Sequence, residues 1–405
     1  MKKKKIWIIS EVFYPEETST GYIMTCITEA LAEDHEVHVI CGPIGYEQIR
    51  KTDAGEDFKF AIHRIRIANF NKNNLIGRLI RLVILSFGMF LKGLISIKRD
   101  DLVLVVTNPA FSIPLFSILK SIKGFSYVIL VHDVFPENLI PANIIQSKSN
   151  IFYLVLEHCF NWSYQKATHL IVLGRDMENV MKDKTKFRVK TSIIENWADL
   201  ENIYPATFHT NPVILNASLQ DKIVFLFAGN VGRLQGLNFL IEIANELKND
   251  VVHFAIAGDG ALLAELKRKV VENKMNNFTF LGSYTRSEQN IFLNACHFGI
   301  VTLEDDLYGL GVPSKTYNIM AAGKPIFYIG NKKSEVGLML AEHNCGISFD
   351  KNDKQLIIDF LNGVSKSESL KWSEMGTAAR VLAEAKYAKE SILVKFRELL
   401  LNKIL

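Results

Sequence analysis

"IVFLFAGNVGRLQGLNFLIEIANELK", residues 223–248, passes from a wholly apolar run through three spaced glycines into a segment with a different period. The apolar run is short and closed by glycine, which reads as a strand buried on both faces. After Gly236, residues Leu237, Leu240, Ile241, Ala244 and Leu247 recur at helical spacing, so the segment packs one face against a sheet. Strand, glycine turn and helix in this order form the repeating unit of a parallel α/β sheet.

The same alternation extends in both directions. Toward the C-terminus it gives "VHFAIAGDG", "FTFLGSY", "FGIVTL", "PIFYIG" and "CGISFD", with "ALLAELKRKVVENK" as a second amphipathic helix. Toward the N-terminus it gives "KIWIIS", "EVHVIC", "LVLVVTN", "YVILVHDVFP", "HLIVLG" and "TSIIEN". Between the two series, "NWADLENIYPATFHTNPVILNASLQDK" is polar, carries prolines and has no clear period, as a linker does. A chain of 405 residues exceeds what one core supports, and about 100–200 residues per domain gives two domains. The expected architecture is α/β, with two tandem Rossmann-like doubly wound domains over 1–200 and 201–380. A C-terminal helix over 381–405 is expected to pack back on the first domain. In such sheets ligands sit beyond the carboxyl ends of the strands, which points to an interdomain cleft.

The formal net charge of +4 is small for this length, and basic residues do not cluster with interleaved aromatics, so no nucleic-acid partner is expected. Five scattered cysteines lie outside CxxC reach of each other, which fits a reducing cytoplasm better than a disulfide framework or zinc site. "MKKKKIWIISEVF" starts like a signal peptide, but Glu11 ends its apolar run too soon, and the run reads as the first strand. "LIGRLIRLVILSFGMFLKGLISI" (75–97) is interrupted by Arg78, Arg81 and Lys92 and is not expected to span a bilayer. On a helix those cations share a sector of roughly 60°, with Arg99 beyond them. Two readings follow: an interfacial helix with its basic stripe toward anionic headgroups, or a buried helix whose polar stripe meets water.

The chemistry-bearing residues stand just after the strands. In "AGNVGRLQG", Gly229, Gly232 and Gly236 allow close backbone approach to a ligand, and Arg233 is a charge-assisted donor for phosphate. The spacing is GxxGxxxG rather than GxGxxG. Asp259 lies where a dinucleotide site wants its ribose acid, so a nicotinamide site stays open. "AGDG" repeats the pattern with Gly258 and Gly260, and Gly282 to Tyr284 offers backbone to a base. "GLGVPSKTYNIMAAGKP" (309–325) places Pro313, Ser314 and Lys315 at a helix entry suited to a phosphate. In the first half, Ser19, Thr20 and Gly21 open a helix after strand one. "VILVHDVFPE" ends its strand in His132 and Asp133, placed for hydrogen bonding or acid/base work. No metal-ligand spacing and no GxSxG appears.

Taken together, "FYPEETSTGYIMTCITEALAEDHEVHVICG", "HDVFPE", "IIENWAD", "FAGNVGRLQGLNFLIEIA", "IAGDG", "FLGSY" and "VPSKTYNIMAAGKPI" resemble, in order, the retaining glycosyltransferases of family 4 with the GT-B fold. The likeness covers nearly the whole chain. It is greatest to the N-acetylfucosaminyl and colanic-acid-type transferases of bacterial surface polysaccharide synthesis, which carry "GN.G..QG" and "PSK.Y...AAG.P". The resemblance implies a nucleotide-sugar donor, UDP-linked, on the second domain and a polyprenyl-diphosphate glycan acceptor on the first. It also implies retention of configuration with no metal and no cofactor, at the inner face of the cytoplasmic membrane. A basic, apolar helix over 75–97 would dock there.

Two departures from the family stand out. Where it carries an arginine and, five residues on, a lysine for the donor diphosphate, this chain has Asn230 and Gln235. Where it carries two glutamates, this chain has Leu310 and Asn318; an Asn amide can share the ribose hydroxyls because it both donates and accepts. Expected donor contacts are therefore Gly229, Asn230, Arg233, Gln235, Gly258, Gly260, Tyr284, Asn318 and the run Gly311, Val312, Ser314 and Lys315. Arg233 and Lys315 would stabilise the leaving phosphate, His132 with Asp133 would face the donor sugar, and Ser19, Thr20 and Gly21 would meet the acceptor. Competing readings are a nucleotide-sugar epimerase or nicotinamide enzyme on the same sheets, and a non-catalytic scaffold that has lost the charged pair and glutamates.

Overall fold

The apolar runs identified in the sequence are strands of two parallel sheets, one in each of two units. A computed structural model describes residues 4–16, 18–44, 58–67 and 75–404. Unit 1 comprises the chain up to Glu195 with Gly309–Gly311 and residues from Leu393 onward; unit 2 comprises Asn196–Tyr308 and Val312–Ile392.

In unit 1 the strands are β1 (Lys5–Ser10), β2 (Glu36–Cys41), β3 (Ala61–Arg64), β4 (Leu102–Val106), β5 (Ser126–Val131), β6 (His169–Val172) and β7 (Lys190–Ile193). The helices are α1 (Ser19–Ala32), α2 (Leu75–Ser96), α3 (Ser112–Lys123), α4 (Ile151–Gln165) and α5 (Arg175–Lys184). The sheet order is β3-β2-β1-β4-β5-β6-β7, reversing direction at β1 as a doubly wound sheet does. Right-handed crossovers place α2 to α5, all of which step the sheet in one direction, on one face, and α1 on the other. β3 was not anticipated. "AIHR" is a half-exposed edge strand with no apolar run to mark it.

Unit 2 carries β8 (Ile223–Ala228), β9 (Val252–Ala257), β10 (Phe278–Gly282), β11 (Phe298–Thr302), β12 (Ile326–Ile329) and β13 (Gly346–Phe349), in the order β10-β9-β8-β11-β12-β13. Its helices are α6 (Pro212–Asn216), α7 (Leu237–Glu246), α8 (Leu263–Glu272), α9 (Gln289–Leu293), α10 (Lys315–Ala321), α11 (Glu335–His343), α12 (Lys354–Gly363) and α13 (Ser369–Lys386). A last one, α14 (Lys389–Arg397), runs from unit 2 into the residues grouped with unit 1. The expected linker contains α6, capped by the Asn211 side chain on the Val213 N–H. The core is aromatic: Phe225 stacks on Phe298 at 4.8 Å and meets Phe327 edge-on at 5.1 Å. Burial of each such ring is worth about 1.5–3 kcal/mol.

The 75–97 segment is the 22-residue α2, and neither expected orientation holds. Its two described cations, Arg81 and Lys92, do not face outward. Arg81 bonds Glu11 at 2.8 Å, and Lys92 lies close enough to His63 for its charge to help burial lower that imidazole's pKa. The Arg78 side chain lies outside the described residues. The outward positions are apolar instead, from Leu79 and Val83 through Phe87 and Leu91 to Ile95, the last 84% exposed. Leu85, Met89 and Gly93 turn inward. At 100° per residue the exposed positions span about 160° of the helix surface.

Candidate active site

In unit 2, strand β8 ends at Ala228 and the chain turns at Gly229, whose φ of +141° only glycine adopts without strain. A Cβ there would stand 3.5 Å from both Cε and Nζ of Lys315, an ordinary contact, so the backbone conformation rather than the lysine calls for glycine, and the lysine side chain lies against this turn. Lys315, the first residue of α10, sets its ammonium 3.3 Å from the centroid of the Phe227 ring and donates to Gln235 Oε1 at 3.2 Å. Removal from water lowers its pKa well below the usual lysine value. No carboxylate pairs with it among the described residues. Beside it, the Thr316 hydroxyl is buried without a hydrogen-bond partner. The place is thus a desolvated ammonium on an aromatic face beside the Gly229 turn, and an incoming anion would favour its charged form.

Other predicted donor residues have structural work of their own. Gly258 and Gly260 lie where a Cβ would collide with the carbonyl oxygens of Gly229 (1.9 Å) and Val231 (2.4 Å), so close packing of the two glycine loops accounts for them. Asp259 holds those loops together, its carbonyl accepting from Val231 at 2.8 Å and its carboxylate from the Gly260 N–H at 2.7 Å. Asn230 and Arg233 are exposed, and Arg233 makes no ion pair among the described residues. The Tyr284 ring stacks on Phe292 at 4.8 Å, and burial pushes its phenol up to about 12.

The helix entry differs from expectation. Pro313 lies outside α10, whose N-cap is Ser314 without a side-chain capping bond. The Thr316 and Tyr317 N–H groups are already bonded to the carbonyls of Pro313 and Ser314, which weakens the helix end as an anion seat and leaves the lysine side chain as the stronger feature. Asn318 turns its side-chain oxygen to the Asp199 N–H at 3.1 Å. Asp199 in turn binds Arg286 at 2.8 Å, so the Asn318 oxygen already accepts one bond inside the unit.

In unit 1, β5 delivers His132 and Asp133 to the sheet's carboxyl edge, and both backbone N–H groups bond the Thr107 hydroxyl (3.1 and 3.0 Å). The His132 Nε2 is buried with no partner, and burial lowers the imidazole to about 4, so it is neutral at pH 7. Burial raises Asp133 to about 6 although Asn138 Nδ2 donates to it at 3.1 Å. Gly309–Gly311 belongs to this unit. The Leu310 carbonyl accepts from the Val134 N–H at 3.0 Å, and a Cβ on Gly311 would lie 3.4 Å from the His132 carbonyl. Glu137 anchors the stretch through a 2.5 Å ion pair with the nearly buried Lys184 on α5. Ser19 is exposed, Thr20 is half-buried, and Gly21 is buried because a Cβ would stand 2.5 Å from the Glu16 carbonyl. Sequence reasoning did not identify Thr107, Asn138, Phe227 or Thr316. Asn138 carried a readable signal, one residue beyond the quoted "HDVFPE"; the others show themselves only through contacts.

The family model described as glycosyl transferases group 1 matches residues 222–361. Over 396 residues the chain is 33% identical to a Pseudomonas aeruginosa protein named glycosyltransferase WbjE, covering 97% of this chain and 96% of that one. It is 23% identical over 406 residues to WcaI of Escherichia coli K12, whose name assigns it to colanic acid biosynthesis; coverage is 97% and 98%. Among solved structures, Anabaena Alr3699/HepE in complex with UDP and glucose superposes with a TM-score of 0.70 at 15% identity, over 98% of both chains. The two parallel-sheet units are those of GT-B glycosyltransferases.

Proposed function

From the premise that this chain belongs to the group 1 glycosyl transferases, we propose that it is a retaining enzyme that moves a sugar from a UDP-linked donor to a polyprenyl-diphosphate glycan in bacterial surface polysaccharide synthesis. The observation that carries the donor half is Lys315, a cation with no carboxylate partner among the described residues, set beside the glycine turn at Gly229. HepE, a neighbour by fold, binds UDP and glucose, which supports a nucleotide diphosphate as that anion.

In the transfer, the bond from the anomeric carbon to the diphosphate oxygen breaks and a bond to the acceptor hydroxyl oxygen forms on the same face. The acceptor's proton passes to the leaving phosphate. Negative charge grows on the diphosphate, and a preorganised cation there is electrostatic transition-state stabilisation. Lys315 supplies it from one side, with Gln235 holding its ammonium and Arg233 free to join from the loop. His132, neutral with Nε2 unpartnered, offers a hydrogen bond to the donor sugar, and Asp133 and Asn138 hold its strand end in place. The enzyme works in the cytoplasm at the inner membrane face, where its acceptor is anchored; its five free thiols fit that compartment.

Thermal-shift measurement against UDP-, GDP- and dTDP-linked sugars tests this reading. A ligand held only by the folded state at 100 times its Kd adds about 2.7 kcal/mol, so UDP-sugars raise the Tm by several degrees and the others by less. No rise with any nucleotide sugar would overturn it.

A further inference from the structure

We propose that unit 1 docks on an anionic bilayer through a three-helix facet made by α2, α3 and α4 together, rather than through α2 alone. These helices lie side by side on one face of the sheet, with α3 packed between the other two. Each turns apolar side chains to solvent. On α2 these are the Leu79-to-Ile95 positions; on α3, Ile118 and Ile122 are 42% and 65% exposed. On α4, Ile151, Phe152 and Val155 are 67%, 73% and 61% exposed. Scattered exposed leucines are ordinary on any protein, but neighbouring stripes on three adjacent helices mark an interaction surface.

The charge pattern selects the occupant. α2 and α3 contain no acidic residue, and α4 contains one, Glu157. Cations stand at the rim: Lys98 and Arg99 are exposed just beyond the end of α2, and Lys148 is exposed just ahead of α4. Lys166 is exposed beyond the other end of α4, 5.7 Å from the Trp162 ring centroid. An apolar field with basic residues and a tryptophan at its margin complements acyl chains below and anionic headgroups above. By length and composition α2 is the one helix among the described residues able to cross a bilayer, yet it packs along α3 and β2. It therefore lies in the interface, immersed by about 5–10 Å. The docking rests on the reading of a lipid-borne acceptor only for its purpose; the surface chemistry stands without it.

Flotation of the full chain with vesicles tests the facet, using phosphatidylcholine alone and phosphatidylcholine containing phosphatidylglycerol. Wild type floats with the anionic vesicles. The double variant Phe87→Glu/Ile95→Glu and, independently, Ile122→Glu/Phe152→Glu each lower the bound-to-free ratio at least ten-fold. Lys98→Glu/Lys148→Glu lowers it on anionic vesicles and leaves it unchanged on neutral ones. All these positions are exposed, so unfolding midpoints stay at the wild-type value. Calorimetric UDP binding also stays at the wild-type value, which separates a failure of docking from a failure of the donor reading. The proposal is overturned if wild type does not float, if the α3/α4 variant floats as wild type does, or if wild type is a dimer in light scattering that these substitutions split, which would assign the facet to a second copy of the chain.

Discussion

The helices that cover the two sheets do the same packing job, but α2 differs from α7 and α8 in what it shows to solvent. In unit 2, α7 and α8 bury Leu240, Ile243 and Leu266 and carry charged pairs on the outside: Lys354 of α12 bonds Glu246 at 2.7 Å and Lys269 bonds Glu265 at 3.0 Å, with Val271 an exposed apolar residue among them. In unit 1, α2 buries Leu85 and Met89 and shows solvent Val83, Phe87 and Ile95 instead. Both sheets need one apolar helix face, and unit 1 supplies a second that its own core does not use. The inward faces build the fold; the outward faces set charged pairs on unit 2 against an apolar surface on unit 1. The charged groups divide in a complementary way: unit 2 keeps a dehydrated cation with no carboxylate partner among the described residues, whereas unit 1 pairs Lys184 and Arg81 with Glu137 and Glu11.

That division can be broken in several places. The largest effect belongs to the paired cation of unit 1. Glu137→Ala strands Lys184 in a nearly buried site and should cost about 3–5 kcal/mol in chemical denaturation, since removing one member of a buried pair leaves an uncompensated charge. Lys315→Ala should do the reverse: turnover falls by ~10²-fold or more, about 2.7 kcal/mol in the barrier, while the denaturation midpoint holds or rises because a desolvated charge is gone. Wild-type turnover would remove Lys315 from the leaving-group role.

Acid titration of stability separates two neighbours in unit 1. His132 folds with its pKa near 4 against an ordinary value of 6.5, so between those values the unfolded chain takes up a proton that the folded chain refuses, and stability falls as pH falls. Asp133 folds with its pKa near 6 against 3.8, so acidification through that window relieves a buried charge and stability rises. His132→Gln should therefore flatten the acid loss of stability between pH 6.5 and 4, and Asp133→Asn should steepen it. Equal effects of one sign would contradict the assigned burial. The smallest effect is on the surface of unit 2, where Lys269→Ala should change stability by about 0.5 kcal/mol or less, because exposed i,i+4 pairs contribute little.

The sheets were legible because parallel strands buried on both faces read as unbroken apolar runs, as "IVFLF" does. Edge strand β3 escaped because half of its surroundings are water, so "AIHR" lacks that run. For α2, the sequence showed where the cations sit on the helix but not which side of the helix the sheet takes. That was settled by Glu11 and His63, partners distant in the chain. Lys315 was legible as a lysine at a helix entry. Its surroundings were not, since the Phe227 ring, the Gln235 amide and the Gly229 turn come from 80 or more residues away. Gly258 and Gly260 were visible as glycines, but a sequence cannot tell a loop that receives a ligand from one that receives another loop.

The proposed role of Lys315 is to hold the diphosphate of a UDP-linked donor. Titration calorimetry of UDP into wild type and into Lys315→Ala at pH 7 tests it most directly. Wild type should bind saturably and one-to-one, and the variant at least ten-fold more weakly, with both proteins melting as folded chains. Equal affinity in the two would contradict it.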